Sequence, residues 1–568
     1  MQKLTHLMHP RVFSVYPTEE SSLRGSNPRS RLPETYLAWA KFRNMADETG
    51  QDPQTAGENP WLIAVSVMLA TFMEVLDTAI ASVALPYIAG SLSASNDEAT
   101  WVLTSYLVAN AVILPASNWF ALRFGRKRFL ITCVIIFTVS SFFCGAAPSL
   151  AFILIARIVQ GAGGGALQPL SQAILLESFP PRLRGMAMAV FAFGVVVAPI
   201  IGPTLGGWLT DTYSWRYAFY INIPVGALAV FMINRFVHDP PYVKNAKVGK
   251  FDNVGFGLLV VWTGCLQVIL DKGQEDGWFG AIWLRWATFF LILGFTWFVI
   301  HSWRKKDSLV NLHTLKDRNF AVGCLLILFF GVSIYSTITL LPLFYQELLG
   351  YTAFAAGIVV GPRGFGAIVA MPIIGWLTNK ADARYLLTFG FVVFGFMSLR
   401  FGDVNLSVSP WTMLWPIIIT GFALSFVFVP ISTQCYATLK NEEIGNASGI
   451  FNLLRNIGGS VGISVSQTML TRRSDLHQND LVGSISRSSY WLQQQSGMIG
   501  RFLGRQMGLA NGMTAGRAQI YKEIGQQSLL WAFVDVFRWI ALLCFGCVGI
   551  VWLFKKVKPG KKAPAGAH

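Results

Sequence analysis

The sequence predicts an all-α, polytopic membrane protein with fourteen transmembrane helices. Of its 568 residues, 53% are hydrophobic and only 13% are charged, whereas soluble domains carry about 25% charged residues. Apolar runs of about 20 residues, the length that crosses a bilayer core, recur along the chain. Lys and Arg are concentrated in alternate loops, a pattern that orients a polytopic protein in its membrane.

The apolar runs give the expected helices in chain order. They begin near residues 61, 101, 129, 150, 185, 217, 254, 281, 319, 354, 385, 411, 447 and 529. Connections after even-numbered runs are rich in Lys and Arg, whereas short connections after odd-numbered runs are not. Because cytoplasmic loops hold the excess of basic residues, both termini are expected in the cytoplasm, which requires an even number of spans. The net charge of +16 follows this distribution and does not indicate a nucleic-acid partner.

Two six-helix halves with two inserted helices are the expected domain organisation. A weak internal repeat, offset by about 257 residues, aligns Leu85-Pro86 with Leu341-Pro342. Two parallel halves form a transporter plan in which substrate binds between them. The expected segments are a cytoplasmic N-terminal extension (1–60), an N-terminal half (61–236), an inserted pair (254–303), a C-terminal half (319–554) and a basic cytoplasmic tail (555–568). The extension is predicted to be disordered, unless the natural start is Met45.

A long loop, residues 472–528, interrupts the charge pattern. It is non-cytoplasmic on the span count yet contains several arginines, which long loops tolerate when they cross the membrane. Its apolar residues Trp491, Met498, Phe502 and Met507 recur at helical intervals and predict a folded helical appendage. The alternative is a loose hydrophilic loop.

Two acidic residues lie inside the first apolar run. Glu74 and Asp77 are three residues apart and share a helix face with Thr78 and Ser82, which are candidate residues of a substrate cavity. An ionisable side chain at the centre of a membrane helix costs about 2.5–3.5 kcal/mol, so each requires a function or a partner. Two neighbouring acids in a low-dielectric site suit reversible protonation. We therefore expect Asp77 and Glu74 to couple transport to protons, the alternative being a structural acid paired with Arg.

Polar stripes mark two further runs as candidate walls of a substrate cavity. The stripe of the fourth run holds Arg157, Gln160, Gly161, Gly164, Gln168 and Ser171, and that of the thirteenth holds Asn452, Arg455, Asn456, Gly459 and Ser460. Arg157 is the expected cationic partner of Asp77. For the thirteenth-run stripe, for Arg363 and for the Asp535/Arg538 pair, structural pairing and a transport role both remain open.

The fifth run carries small residues and prolines at regular intervals. These are Ala198, Pro199, Gly202, Pro203, Gly206 and Gly207. Small residues let a neighbouring helix approach closely, and proline removes a backbone hydrogen bond and permits bending. Plain tight packing is the alternative interpretation, and it uses the same contacts.

Motifs of other functional classes are missing from the sequence. It contains no G-x-x-x-x-G-K-[ST] phosphate loop, no G-x-S-x-G elbow, no H-E-x-x-H and no Cys/His metal cluster. The seven cysteines all lie inside apolar runs and are interpreted as small hydrophobic residues. The chain is therefore not expected to be an enzyme or to bind a cofactor or metal, and the proton-motive force is the expected energy source.

Several motifs together resemble the major facilitator superfamily, specifically its fourteen-helix EmrB/QacA-type drug:proton antiporters. The resemblance covers residues 58–555. The matching motifs are Leu76-Asp77-Thr78 through Leu85-Pro86, Phe124-Gly125-Arg126-Lys127-Arg128, Arg157-x2-Gln160-Gly161, Gly202-Pro203-Thr204-Leu205-Gly206-Gly207, and Trp215-Arg216 through Asn222 and Gly226. The resemblance implies that the fourth-run arginine takes part in proton coupling and that the fifth-run motif is that of exporters.

The resemblance also implies a cytoplasmic gate at the loop after the second run. Its residues would be Arg123, Gly125, Arg126 and Lys127. The loop departs from the family pattern, because Asn118 and Leu122 stand where Gly and an acidic residue are usual. Since Leu122 cannot pair with a basic group, the gate is expected to be held by other residues.

The long loop is similar to that of Gram-negative members of the family. The resemblance implies location in the cell inner membrane, with a periplasmic adaptor (an EmrA-like membrane fusion protein) and an outer-membrane channel as partners. The expected function is proton-coupled export of hydrophobic or amphipathic small molecules by alternating access. The alternatives are an exporter of one dedicated metabolite or siderophore, a proton symporter for uptake, and a non-transporting membrane receptor or scaffold.

Overall fold

A computed structural model describes residues 59–180, 183–240, 243, 249–305, 308–378, 380–484 and 490–556. Regular structure in these residues is helical, and no β-strand occurs among them. The expectations for residues 1–58, including a start at Met45, and for residues 557–568 of the tail lie outside the described residues.

The described helices follow the apolar runs closely. In the first part of the chain they are α1 (Pro60–Ser91), α2 (Asn96–Phe124), α3 (Arg126–Gly145), α4 (Leu150–Gly164), α5 (Leu167–Ser178), α6 (Arg184–Thr212), α7 (Tyr217–Tyr220), α8 (Asn222–Phe236), α9 (Asn253–Lys272) and α10 (Ile282–Arg304). They continue as α11 (Arg318–Glu347), α12 (Ala353–Val360), α13 (Pro362–Leu377), α14 (Ala383–Phe401), α15 (Pro410–Tyr436), α16 (Asn441–Ser484), α17 (Tyr490–Met507) and α18 (Leu509–Val551).

Three of the expected spans are broken helices. The fourth span is α4 followed by α5, the sixth is α7 followed by α8, and the tenth is α12 followed by α13. The last of these breaks falls at Gly361, immediately before Pro362. Proline has no backbone N–H to donate to the preceding turn, so a helix readily ends in front of it.

Fourteen spans are confirmed. Thirteen helices of the described chain are long and apolar enough to cross a membrane. The fourteenth is α16, which is long enough but more polar because it carries Asn452, Arg455 and Asn456. Asn452 and Arg455 are buried inside the bundle. Polar residues that face the interior of a bundle lower a helix's mean hydropathy without preventing it from spanning the membrane.

Burial separates central helices from helices that face lipid. In α6, 78% of the most apolar 18-residue window is buried, whereas in α10 the share is 17%. Helix α10 exposes large apolar side chains, including Trp286, Phe289 and Trp297. Exposed apolar surface of this extent marks contact with a membrane. The inserted pair therefore lies at the periphery, and α6 lies at the centre.

Alternate connections lie at the same end of the bundle. We call the end that holds the α2–α3, α5–α6, α10–α11 and α15–α16 connections the basic end. There Asp252, which precedes α9, accepts hydrogen bonds from His301 at 3.0 Å and Lys305 at 2.8 Å. Burial raises the pKa of Asp252, but these bonds and those from the backbone N–H groups of Gly255 and Leu309 outweigh burial and hold the pKa at about 2. The ionised carboxylate thus ties the two inserted helices together.

At the opposite end, α16, α17 and α18 form a helical appendage. The boundaries expected at 472 and 528 do not coincide with helix ends, because α16 continues to Ser484 and α18 begins at Leu509. The helical prediction for this segment is confirmed in its described residues. Helix α17 packs closely on α18, since a Cβ on Gly516 would lie 2.8 Å from the Gly500 nitrogen. The side chains of Trp491 and Met507 lie outside the described part.

At the base of the appendage, Asp535 joins α18 to α16. His477 of α16 lies 3.0 Å from its carboxylate, and the Arg473 Nε lies at 3.8 Å. The structure thus gives Asp535 two basic neighbours on α16. The seven cysteines are all free and six of them are buried, as expected of small hydrophobic residues.

Candidate functional site

The carboxylates of Glu74 and Asp77 both lie in the interior of the bundle, with exposed fractions of 4% and 1%. Helix α1 is held there by α6. A Cβ on Gly202 would overlap the Ala79 Cβ, and one on Gly206 would lie 3.2 Å from the Ile80 Cα. The small residues of α6 therefore bring it against the helix that carries the acids.

Asp77 is bound by a cation and two amides. Its carboxylate lies 2.6 Å from Arg157 Nη1, and it accepts hydrogen bonds from Gln160 Nε2 at 3.0 Å and Asn222 Nδ2 at 2.6 Å. The Arg157 guanidinium lies 4.2 Å from the centre of the Tyr106 ring. The structure thus joins Asp77 and Arg157 in a fully buried ion pair. Such a pair is strongly destabilised when one partner loses its charge.

Glu74 has a different environment. Its carboxylate accepts hydrogen bonds from Asn110 Nδ2 at 3.0 Å, from the Tyr106 hydroxyl at 3.3 Å and from Gln168 Nε2. All three donors are neutral, so protonation of Glu74 would not break an ion pair. Two carboxylates one helix turn apart thus have different partners, an arrangement that typically separates their roles.

The Gln168 side chain links the two halves of the chain. It donates to Glu74 through its nitrogen and accepts from Arg455 Nη2 of α16 through its oxygen. Arg455 also donates to Asn456 Oδ1 at 3.2 Å. In the same region Asn452 Nδ2 donates to Gln172 Oε1 at 2.7 Å. The two polar stripes predicted from sequence therefore meet each other.

Other predicted cavity residues have local contacts. The Thr78 hydroxyl donates to the Glu74 carbonyl oxygen at 3.1 Å, and the exposed Ser82 hydroxyl donates to that of Ala79 at 2.8 Å. Gly161 and Gly164 of the fourth-run stripe pack against Tyr106 on α2. These glycines therefore let α2 approach closely instead of lining a space.

The predicted gate residues lie around a glycine at the basic end. Gly125 has φ +86°, in the left-handed region that favours glycine, and a Cβ there would lie 2.7 Å from Asp239 Oδ2. The Lys127 N–H donates to Asp239 Oδ1 at 2.8 Å, and the buried Arg126 pairs with Glu177. Arg123 is exposed. Asp239 and Glu177 thus supply the acidic groups that Leu122 cannot.

Helix α6 contacts both halves. Gly202 and Gly206 face α1, whereas Pro199 and Pro203 face α11, α12 and α13, and Gly207 approaches Phe354. Ala198 is fully buried. Helix α6 therefore lies between the acidic helix and the second half.

The two halves are closed against each other at the basic end. A Cβ on Gly445 would overlap Asn118 Oδ1, and one on Gly375 would lie 3.2 Å from the Met186 Cα. Ser448 donates to the Pro169 carbonyl oxygen at 3.0 Å. Substrate could pass this end only after α2 and α6 separate from α16 and α13.

Several residues of the site were not predicted from the sequence as site residues. Tyr106, Asn110 and Asn222 are polar groups inside apolar runs, so the rule that singled out Asp77 could have found them. Asn222 was noted only as part of a family-like motif. Glu177 and Asp239 lie near helix ends among other charged residues, where no local pattern marks them. Their partners became visible only in the folded chain.

Comparison with known proteins gives consistent matches. The family described as Major Facilitator Superfamily matches residues 67–463. The multidrug export protein EmrB of Escherichia coli (strain K12) is 34% identical over 89% of this chain and 98% of its own length. The fatty acid resistance protein FarB of Neisseria gonorrhoeae is 35% identical over 89% of this chain and 97% of its own length.

Solved structures share the fold at low sequence identity. The human organic anion transporter MFSD10 (TETRAN) aligns with a TM-score of 0.53 and 14% identity, covering 87% of this chain and 100% of that chain. The proton:xylose symporter XylE aligns with a TM-score of 0.52 and 14% identity, covering 89% of this chain and 97% of that chain. These likenesses concern the fold alone.

Proposed function

The chain belongs to the major facilitator superfamily, and from this premise we propose that it is a proton-coupled antiporter that exports hydrophobic or amphipathic small molecules by alternating access. The observation that carries the proposal is the buried pair Glu74 and Asp77, held on α1 beside the exporter-type helix α6. Acidic residues inside a transporter bundle mark ion or proton pathways. The name of the E. coli relative, a multidrug export protein, supports the substrate class.

Protons and substrate would bind in alternation. With the basic end open, Asp77 is ionised and substrate enters from the cytoplasm or the inner leaflet. With the opposite end open, a proton on Asp77, shared with Glu74, accompanies release of the substrate. Neutralising Asp77 leaves the buried Arg157 without its counter-charge, which favours rearrangement of the site. A proton that then moves inward gains about 2.3 kcal/mol per 100 mV of membrane potential.

The contacts between the halves supply a route for coupling. Gln168 contacts both Glu74 and Arg455. The protonation state of Glu74 would therefore affect the Gln168–Arg455 contact, which must break when the halves separate. Arg126 and Lys127 would latch the basic end through Glu177 and Asp239. The glycines of α6 would let the helices rock without losing their packing.

Charge asymmetry supports the orientation of the protein. With the basic end in the cytoplasm, both termini are cytoplasmic and residues 472–528 lie in the periplasm of a Gram-negative cell inner membrane. The helical appendage would then face a periplasmic adaptor of the EmrA-like membrane fusion type, which would connect it to an outer-membrane channel. The energy source would be the proton-motive force, with no cofactor.

Transport in proteoliposomes tests the proposal. Purified protein is reconstituted with an imposed pH gradient, and proton counterflow is recorded as lipophilic compounds are added. We expect the wild type to respond to several compounds and Asp77→Asn to respond to none. Asp403→Asn, which removes an exposed carboxylate 3.2 Å from Arg400, is the matched control and is expected to resemble the wild type.

Two outcomes would change the proposal. Full counterflow in Asp77→Asn would exclude this carboxylate as the coupling group. A wild type that responds to no compound, although folded, would contradict broad export and favour a single dedicated metabolite as the substrate.

A further inference from the structure

Four arginines are fully buried in the described part of the chain, and one of them differs from the rest. Arg126 pairs with Glu177, Arg157 pairs with Asp77, and Arg455 donates to Gln168 and Asn456. The remaining one is Arg363, at the second position of α13, with an exposed fraction of 0%. Its Nε, Nη1 and Nη2 atoms all lack a hydrogen-bond partner among the described residues.

An unpaired buried cation needs a counter-charge from elsewhere. Guanidinium cannot lose its proton under physiological conditions, so it cannot become neutral as a buried Lys can. Removing such a charge from water without a compensating partner is strongly unfavourable. Arg363 is therefore expected to meet an anion during the working cycle of the protein.

The surroundings of Arg363 show where that anion would bind. Arg363 is one of the residues that line a cavity of about 20 Å³ between the two halves. Its other walls include Pro199 and Pro203 of α6, Ile338 and Pro342 of α11, and Val360 of α12. Arg363 is the only charged residue among the lining residues of the described chain. The site thus combines one cation with apolar walls.

In the present conformation this site is closed. A volume of about 20 Å³ holds about one water-sized group. Helix α6 closes it. A Cβ on Gly364 would lie 3.5 Å from the Ile200 side chain, and one on Gly357 would lie 2.6 Å from the Thr204 hydroxyl oxygen. Separation of α6 from α12 and α13 would widen the cavity and uncover the guanidinium. This is the movement that alternating access requires between the halves.

We propose that Arg363 is the anion-binding residue of the translocation pathway and that the preferred substrates are amphipathic organic acids, with an apolar body and a carboxylate. The planar guanidinium suits a carboxylate, which it can bind through two parallel hydrogen bonds. The apolar walls receive the body of the same molecule. This inference rests on the proposed export function and assigns its substrate class. It concerns binding, whereas the carboxylates of α1 concern coupling.

Equilibrium binding tests the inference without any proton gradient. The protein in nanodiscs of zwitterionic lipid is titrated with 1-pyrenebutyrate and with the uncharged 1-pyrenebutanol at about pH 7.5, where a free carboxyl group is ionised. We expect tighter binding of the acid by the wild type. Arg363→Gln should weaken binding of the acid about tenfold or more, as for loss of one or two charge-assisted hydrogen bonds. Binding of the alcohol should change less than about twofold.

Controls separate recognition from folding. Arg363→Lys should keep part of the preference for the acid, and Arg400→Gln, at an exposed arginine, should keep all of it. Because Arg363 has no partner to lose, Arg363→Gln should melt no lower than the wild type. Equal weakening of acid and alcohol, or a lower melting temperature with no change in the acid preference, would overturn the inference in favour of a structural arginine.

A lipid is the other source of an anionic group, and a second arm distinguishes it. Phosphatidylglycerol is added to the nanodiscs, and binding of 1-pyrenebutyrate is measured again. If substrate is the occupant, we expect no loss of wild-type affinity. A loss that is present in the wild type and absent in Arg363→Gln would contradict the inference by assigning the site to a lipid headgroup. If the wild type shows no proton counterflow but still prefers the acid, only the antiport proposal is rejected.

Discussion

At the residue scale, the central feature is that two acids one turn apart on α1 have unlike partners. Asp77 contacts a guanidinium, whereas Glu74 contacts only neutral donors, one of which is Gln168. Gln168 in turn contacts Arg455 on the other half. Under the proposed coupling, a proton that binds to this pair would change contacts within the first half and contacts across the interface.

Substitution of Gln168 tests this link. Gln168→Leu keeps the approximate size of the side chain but leaves Glu74 without one donor and Arg455 without one acceptor. An unsatisfied buried polar group costs about 1–3 kcal/mol, and each 1.36 kcal/mol corresponds to about a tenfold change in rate. We expect transport in proteoliposomes to fall about tenfold, with the protein still folded. Gln493→Leu, on the appendage, serves as the control, and equal activities of the two variants would contradict the link.

Much of the site could be predicted from the sequence because intramembrane charge is rare. Asp77, Arg157 and Arg455 lie in apolar runs where each ionisable group needs a reason, and that rule located them. The partners of the gate could not be predicted, since Asp239 lies more than a hundred residues from Lys127 in sequence. The environment of Arg363 could not be predicted either. Only the folded bundle shows that its guanidinium has no hydrogen-bond partner among the described residues.

At the scale of elements, α6 joins the acidic helix to the second half. Glycines on one face bring it against α1, and prolines on another face line the cavity of Arg363. The sequence predicted close approach and bending at this helix but not which neighbours it contacts. Small residues specify that a helix can approach closely, whereas the partner depends on how the whole bundle is arranged.

Substitution of Gly202 tests the packing of α6 on α1. In Gly202→Ala the added Cβ overlaps the Ala79 Cβ, and overpacking of this kind costs about 1–3 kcal/mol. We expect a lower melting temperature and a several-fold loss of transport. Gly546→Ala in α18 is the matched control, because nothing lies within 4 Å of the added atom. A Gly202→Ala protein as stable and active as the control would show that α6 can move aside freely.

The gate loop gives a second test at this scale. Asp239→Asn removes the charge that accepts from the Lys127 N–H at 2.8 Å. Hydrogen bonds to charged groups contribute about 1.5–3 kcal/mol, less when the group is partly exposed as here. We expect faster amide hydrogen exchange over residues 118–130, measured by mass spectrometry. Asp403→Asn at the opposite end should leave exchange in this segment unchanged, and the same result for Asp239→Asn would argue against the latch.

At the scale of the whole molecule, the fold class was predictable and the shape of the appendage was only partly so. Run length is sufficient to count the spans, because the thickness of the bilayer sets the length of an apolar helix that crosses it. Run length could not show that α16 continues as one helix from the bundle to Ser484 or that α18 begins at Leu509. Polar helices outside a membrane carry no comparable length signal.

Removal of the appendage tests its proposed role with a periplasmic partner. Residues 483–523 are replaced by about eight Gly and Ser residues, a flexible linker that spans about 15 Å. The ends lie near each other, since Gln478 Nε2 donates to the Tyr521 hydroxyl at 2.8 Å. We expect proton counterflow in proteoliposomes to persist and drug resistance of cells to be lost. Resistance equal to that of the wild type would contradict the need for this surface.

The most direct test of proton coupling at α1 is proton release when substrate binds to the purified protein in weakly buffered detergent solution. We expect the wild type to release protons on addition of a transported compound, because substrate binding and protonation of Glu74 and Asp77 exclude each other. We expect less release from Asp77→Asn or Glu74→Gln and none from the double variant, while Asp403→Asn behaves like the wild type. Release from the folded, substrate-binding double variant equal to that of the wild type would contradict coupling at these two carboxylates.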